Sequence, residues 1–253
     1  MGSLSSVPTS AYLNEVCPDC LAEPVQEEAP LCPRCGYQFP HVFVVPTDYP
    51  WDYSTQLLEK CHAHDGLRLL GRFSGRQPGT LATFTHLRSL YLSRYPDFRF
   101  GLLKEFGRLR FLELDDAAIE RLDGLASLGA LTCLQLTECR RLSDLSGLVE
   151  AQGLRHFRLA LCNRVADLAP IGRIQALEAL KVEARRVESV AFLRLLPGLR
   201  RLALAVPSLP ADVGEAIAGL EALEWLGLRR RYATKALVAT LRERRPGCHI
   251  EIW

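Results

Sequence analysis

One motif recurs along two-thirds of the chain and constrains its fold more than any other feature. A Leu-x-x-Leu-x-Leu run, with small changes, opens at Leu87 (LRSLYL), Leu109 (LRFLEL), Leu131 (LTCLQL), Leu154 (LRHFRL), Leu177 (LEALKV), Leu199 (LRRLAL) and Leu223 (LEWLGL). The starts lie 22, 22, 23, 23, 22 and 24 residues apart. Alternation inside each run sends one set of side chains into a core and the other toward solvent, the pattern of a half-buried strand. The second half of each unit adds apolar positions: Ile119, Leu122, Leu125 and Leu128; Leu142, Leu145 and Leu148; Val165, Leu168 and Ile171. One such unit cannot bury both halves alone. Successive units must stack into a solenoid with a parallel sheet along one side, so the expected fold class is α/β. HIEIW at 249–253 repeats the strand pattern once more, Ile250 falling 24 residues after Leu226, and is expected to close the open end of the sheet.

LTCLQLTECRRLSDLSGL and LRHFRLALCNRVADLAPI share the phrase Leu-x-x-Leu-x-Leu-x-x-Cys-x-x-Leu-x-Asp-Leu with small changes. On these residues the chain resembles the leucine-rich-repeat superfamily, and residues 109–198 are most similar to its short bacterial, internalin-like class. The resemblance implies a solenoid whose parallel sheet is concave. The sequence departs from it where the superfamily places Asn: Tyr95, Ala117, Cys139, Cys162, Arg185, Pro207 and Arg231 stand there instead. The side-chain-to-backbone ladder built by a recurring Asn is therefore expected to be missing and the turn less regular. Cys139 and Cys162 read as small apolar fillers. The last two repeats are longer, and ADVGEAIAGLEAL and ATKALVATLRERRPG have helical periodicity. Arg242, Arg244 and Arg245 would fall in the last turn of the final helix, where cations favour its dipole, before Pro246-Gly247 stops it.

The chain has nine cysteines, an odd number that a disulfide framework would leave incompletely paired. Four stand in two tight pairs, Cys17-Pro-Asp-Cys20 and Cys32-Pro-Arg-Cys35-Gly36, separated by eleven residues. Two such turns offer four thiolates to a tetrahedral ion, and Gly36 permits the turn after the second pair. Residues 14–45 resemble a zinc ribbon, which implies Cys17, Cys20, Cys32 and Cys35 as ligands of one structural Zn2+. Four protein ligands leave no open coordination position for catalysis. Few apolar residues lie between the pairs, so metal binding would supply the folding energy, of order 10 kcal/mol. Cys61, His62 and His64 lack a fourth ligand nearby, and the sequence leaves open whether they bind metal.

The expected organisation is a disordered N-terminus over 1–13, the ribbon over 14–45, a linker and solenoid cap over 46–86, and the repeat domain over 87–253. Formal net charge is +2, yet residues 1–60 hold eight acids against Arg34 and Lys60, leaving that part at −6 and the remainder at +8. The imbalance suggests that the two parts meet each other or different partners. It is too mild for a nucleic-acid-binding domain. Only four of the 31 basic residues are lysine, which together with heavy Ala, Leu and Gly use resembles a high-GC bacterial coding bias. No apolar run reaches the ~20 residues that span a bilayer, and the first fifteen residues do not read as a secretory signal, so a cytoplasmic protein without membrane contact is expected.

No Gly-rich phosphate loop, His-Glu-x-x-His helix or Gly-x-Ser-x-Gly elbow occurs. Cys133 and His156 fall in one column of adjacent strands, but a thiol protease also needs an orienting group and an oxyanion hole. The concave face is the expected binding surface, presenting Tyr91, Phe111, Glu113, Gln135, His156, Arg158, Lys181, Arg201, Trp225 and Arg229. Outward aromatics beside arginines have the composition of interface hot spots. The sequence is thus read as a non-enzymatic adaptor, inhibitor or immunity-type factor that binds a partner protein. The alternative is a nucleic-acid-associated factor using the ribbon or the Arg229–Arg231 and Arg242–Arg245 cluster.

Overall fold

The computed structural model describes residues 5–8, 41–45, 65–69, 81, 83–95, 98–206, 210–231 and 233–252. Among them, eleven strands form a single sheet in chain order: β1 Ser5–Pro8, β2 His41–Val45, β3 Gly66–Leu69, β4 Ser89–Ser93, β5 Phe111–Asp115, β6 Cys133–Thr137, β7 His156–Ala160, β8 Ala179–Glu183, β9 Arg201–Ala205, β10 Trp225–Leu228 and β11 His249–Ile252. β1 pairs antiparallel with β2, and every later pairing is parallel. β4 to β10 carry the seven runs. β2 extends the same sheet from inside the stretch read as the ribbon, and β1 lies inside the stretch read as a disordered terminus.

The period explains the core. Residues that stack on one another in successive coils occupy equivalent places in the repeat, so each leucine of the motif becomes one rung of an apolar column. Leu87, Leu109, Leu131, Leu154, Leu177, Leu199 and Leu223 form one buried column. Leu90, Leu112, Leu134, Phe157, Leu180, Leu202 and Leu226 form the next, and Leu92, Leu114, Leu136, Leu159, Val182, Leu204 and Leu228 the third. The other half of each coil adds further columns, for example Leu122, Leu145, Leu168 and Val190. Every rung touches its own coil and both neighbours, so burial is shared and no coil is stable alone.

The turns after β4 to β7 differ from the expectation of an irregular corner. Arg94, Asp116, Glu138 and Leu161, each just past a strand, are all left-handed with φ of 54°, 47°, 50° and 58°. Each turns its N–H onto the last strand carbonyl of the next coil: Arg94 to Asp115 at 2.7 Å, Asp116 to Thr137 at 2.9 Å, Glu138 to Ala160 at 2.9 Å and Leu161 to Glu183 at 2.8 Å. The next residue points inward. There the single S–H of Cys139 lies within reach of the carbonyls of Leu114 and Thr137, both 3.6 Å from Sγ, and that of Cys162 within reach of Leu136 at 3.7 Å and Ala160 at 3.5 Å. A thiol thus supplies, weakly, the side-chain-to-backbone contact expected of an Asn at this position. Reading these cysteines only as fillers is corrected: they are buried and they also donate. The corner changes at β8, where Ala184 is not left-handed and packs against the core while Arg185 is exposed.

On the far side, residues 100–103, 125–127, 146–150, 169–173 and 191–195 are short 3-10 turns. Asp144 Oδ1 accepts the Ser146 N–H at 2.7 Å and Asp167 Oδ1 the Ala169 N–H at 2.8 Å, so the Asp of the repeated phrase caps its own turn. In the last two connections the turns become helices, α1 Val213–Ala218 and α2 Lys235–Arg244. Thr234 caps α2 by accepting the Leu237 N–H at 3.2 Å.

Candidate interaction surface

Because β4 to β10 run in register, outward residues line up in rows across the sheet. One row reads Phe111, Cys133, His156, Ala179, Arg201 and Trp225 from β5 to β10. The next, two residues further along each strand, reads Tyr91, Glu113, Gln135, Arg158, Lys181 and Ala203 from β4 to β9. Nine of the ten expected binding residues therefore share two adjacent rows; Arg229 lies just past β10.

Exposure separates them. Tyr91 (8%), Phe111 (4%), Gln135 (8%) and His156 (5%) are buried, whereas Glu113, Arg158, Lys181, Arg201 and Trp225 are half-buried and Arg229 is exposed. The expectation that Tyr91 and Phe111 stand out to meet a partner is corrected. Alternation decides which way a side chain points, not whether solvent reaches it, and these residues are flanked in register by strands ~4.8 Å away on both sides. Tyr91 is also held from within, its hydroxyl donating to Asp115 Oδ2 at 3.3 Å beside Ser93 Oγ at 3.0 Å.

The other end of the rows is built differently. The Arg201 guanidinium lies 4.7 Å from the centre of the Trp225 ring, and Trp225 Nε1 donates to Glu251 Oε2 at 3.3 Å. Arg229 Nη2 donates to Glu183 Oε1 at 2.5 Å. These contacts span β8 to β11 and fix the ring and the two arginines in place. Ala179 and Ala203, which carry no chemistry in the sequence and drew no attention there, lie low between the long side chains. Only the in-register pairing reveals them as a floor.

The Cys133–His156 column forms as the strand register requires, yet it lacks the state that nucleophilic chemistry needs. Burial pushes the Cys133 thiol up to about 12, and burial together with Arg155 and Arg201 holds His156 down at about 3. At neutral pH both are uncharged, and His156 Nε2 has no hydrogen-bond partner. A protonated thiol is a poor nucleophile. The basic C-terminal cluster is partly spent on structure as well: Arg229 binds Glu183, and Arg245 Nη2 donates to the Glu221 carbonyl and, at 3.4 Å, to that of Leu223.

Among the described residues, no group of three or more His, Cys, Asp or Glu side chains could hold a metal ion. Cys17, Cys20, Cys32, Cys35, Cys61, His62 and His64 lie outside the described residues. Among the described residues no helix is long and apolar enough to cross a membrane.

No family model and no curated protein matches the chain. Solved structures do. The crystal structure of an internalin (inlF) from Listeria monocytogenes is similar with a TM-score of 0.63 at 23% identity, over 83% of this chain and 60% of that one. An internalin C2 (inlC2) from the same organism has a TM-score of 0.54 at 18% identity, over 69% of this chain and 74% of its own. The chain thus spans 60% of the length of the first. At such identities the likeness concerns the fold alone. Sheet, register and neighbours agree on a leucine-rich-repeat solenoid.

Proposed function

We propose that the protein is a non-enzymatic, cytoplasmic binding factor, an adaptor, inhibitor or immunity-type protein, whose outer sheet face recognises a partner protein. The observation that carries this reading is the Arg201–Trp225 stack on β9 and β10, braced by Glu251 and set beside the row that holds the half-buried cations Arg158 and Lys181. A preorganised Trp–Arg pair on a rigid sheet is the type of group that dominates interface energetics, since little side-chain freedom is lost on binding. Seven strands ~4.8 Å apart give a surface about 30 Å long, enough for a protein interface. The two internalins that share the fold support a binding role by analogy. The S–H donors Cys139 and Cys162 favour a reducing compartment, because oxidation would remove their hydrogen bonds.

The test is capture of partners from the source organism by the full chain and by an Arg158→Ala, Lys181→Ala, Trp225→Ala triple variant. A partner retained by the wild type and lost by the variant is expected. Equal capture by both would exclude this face. Phe111 is left intact because its truncation would disturb packing.

We also propose that Cys17, Cys20, Cys32 and Cys35 hold one structural Zn2+, a reading supported by a donor set of four thiolates in two Cys-x-x-Cys turns. Metal analysis of the chain purified with zinc present should return one ion per chain. A value well below one would contradict it.

A further inference from the structure

We infer that the outer face of β7 to β9 is a receptor for a carboxylate, cradled over Ala179 by His156, Arg158, Lys181 and Arg201 with Gln135 at its rim, so that the partner segment it takes is acidic. The inference rests on the reading of this face as the binding surface.

The register builds the cradle. Ala179 has His156 on one side and Arg201 on the other, and Lys181, two residues along the same strand, is flanked by Arg158 and Ala203. Three cations therefore fall on three adjacent strands, within ~10 Å, around a side chain that ends at Cβ. Arg158 and Lys181 stand directly opposite each other, an arrangement that is unfavourable for like charges.

A second observation points to a ligand independently. Gln135 Oε1, His156 Nε2 and Arg158 Nε are buried and have no hydrogen-bond partner. Gln135 and His156 are both more than nine-tenths buried, and Gln135 is the register neighbour of Arg158. Leaving a buried polar atom unmet is costly, so three in one patch are a feature that calls for an occupant. Arg158 donates through its fork, the Gln135 carboxamide donates or accepts according to its orientation, and neutral His156 does either. Burial, Arg155 and Arg201 hold that imidazole in its uncharged form.

The surroundings choose between anions. In the row of Arg158 and Lys181, Glu113 lies two strands to one side and Glu251 three strands to the other. A continuous polyphosphate crossing the sheet would meet these carboxylates. A single acidic side chain on an extended peptide reaches the cations without crossing these carboxylates, and Glu183, two residues along β8 from Lys181, is already engaged by Arg229.

Fluorescence anisotropy on the full chain tests this with three labelled probes: a peptide alternating Glu and Ala, its Gln counterpart, and a single-stranded DNA oligonucleotide. The Glu peptide is expected to bind at least about tenfold more tightly than the Gln peptide, the difference expected of a charge-assisted hydrogen bond. Arg158→Ala and the space-filling Ala179→Leu should each weaken it by about tenfold, Arg158→Lys by less, and Arg173→Ala on the opposite side of the coil not at all. Thermal melts of each variant confirm folding, and Arg158→Lys keeps the test decisive if Ala179→Leu does not fold. Equal binding of Glu and Gln peptides, or Glu-peptide binding unchanged in Arg158→Ala, would overturn the inference. So would tighter, Arg158-dependent binding of the oligonucleotide, which would assign the cradle to phosphate. If partner capture is lost in Trp225→Ala but is indifferent to Arg158→Ala and to excess Glu peptide, only the carboxylate inference fails. If capture survives the triple variant, the broader reading fails with it.

Discussion

At the scale of single residues, His156 shows how a fold changes the meaning of a side chain. In an unfolded chain it titrates near 6.5, while in the sheet it resists protonation until about 3. Between these values the unfolded state binds the extra proton, so stability is fully present above about pH 6.5 and falls as the pH drops below it. The slope from this one group approaches about 1.4 kcal/mol per pH unit. Thermal melts between pH 7 and pH 5 should therefore show a falling Tm in the wild type and a flatter dependence in His156→Gln. Equal slopes would remove His156 as the source. Cys133 gives a companion expectation: with its thiol at about 12, it should resist iodoacetamide at pH 7.5 until the chain unfolds. Rapid alkylation in the folded state would reopen the nucleophilic reading.

At the scale of elements, the strands were legible because burial in a stacked repeat leaves a spacing that can be counted. The helical segments near the end were legible for the same reason, since α1 and α2 occupy the two stretches with helical periodicity. The corner after each strand was not. Its regularity comes from left-handed residues of four different types, Arg94, Asp116, Glu138 and Leu161, so no residue signature marks it. Exposure on the outer face was equally hidden, because it depends on what stands beside a residue in the next coil. Tyr91 and Phe111 are buried for that reason, and nothing in the sequence marks Ala179 as the floor between longer side chains. The turns on the far side carry one sharp constraint. A Cβ on Gly147 would lie 2.3 Å from the Leu122 carbonyl oxygen of the preceding coil, closer than any real contact. Gly147→Ala must push two coils apart, and it should cost about 2–3 kcal/mol in denaturant unfolding, whereas Gly107→Ala, which meets nothing within 4 Å, should cost far less. Similar losses at both positions would contradict the close stacking of these coils.

At the scale of the whole molecule, one sheet of in-register strands separates two surfaces of different character. The outer face gathers the aromatic and cationic side chains into rows. The opposite side presents capped turns, intercoil ion pairs such as Arg121–Asp144 at 3.1 Å, and isolated exposed apolar residues, Val149 and Leu195, each 51% exposed. Such ion pairs on a solvated surface contribute little individually. The central claim is that a protein partner docks on the outer face and not on the turns. Hydroxyl-radical footprinting of the chain with and without a captured partner tests it most directly, because Trp225 reports one side and Val149 and Leu195 the other. The partner is expected to protect Trp225 from oxidation and to leave Val149 and Leu195 unchanged. Protection of Val149 and Leu195 with Trp225 oxidised as before would contradict it.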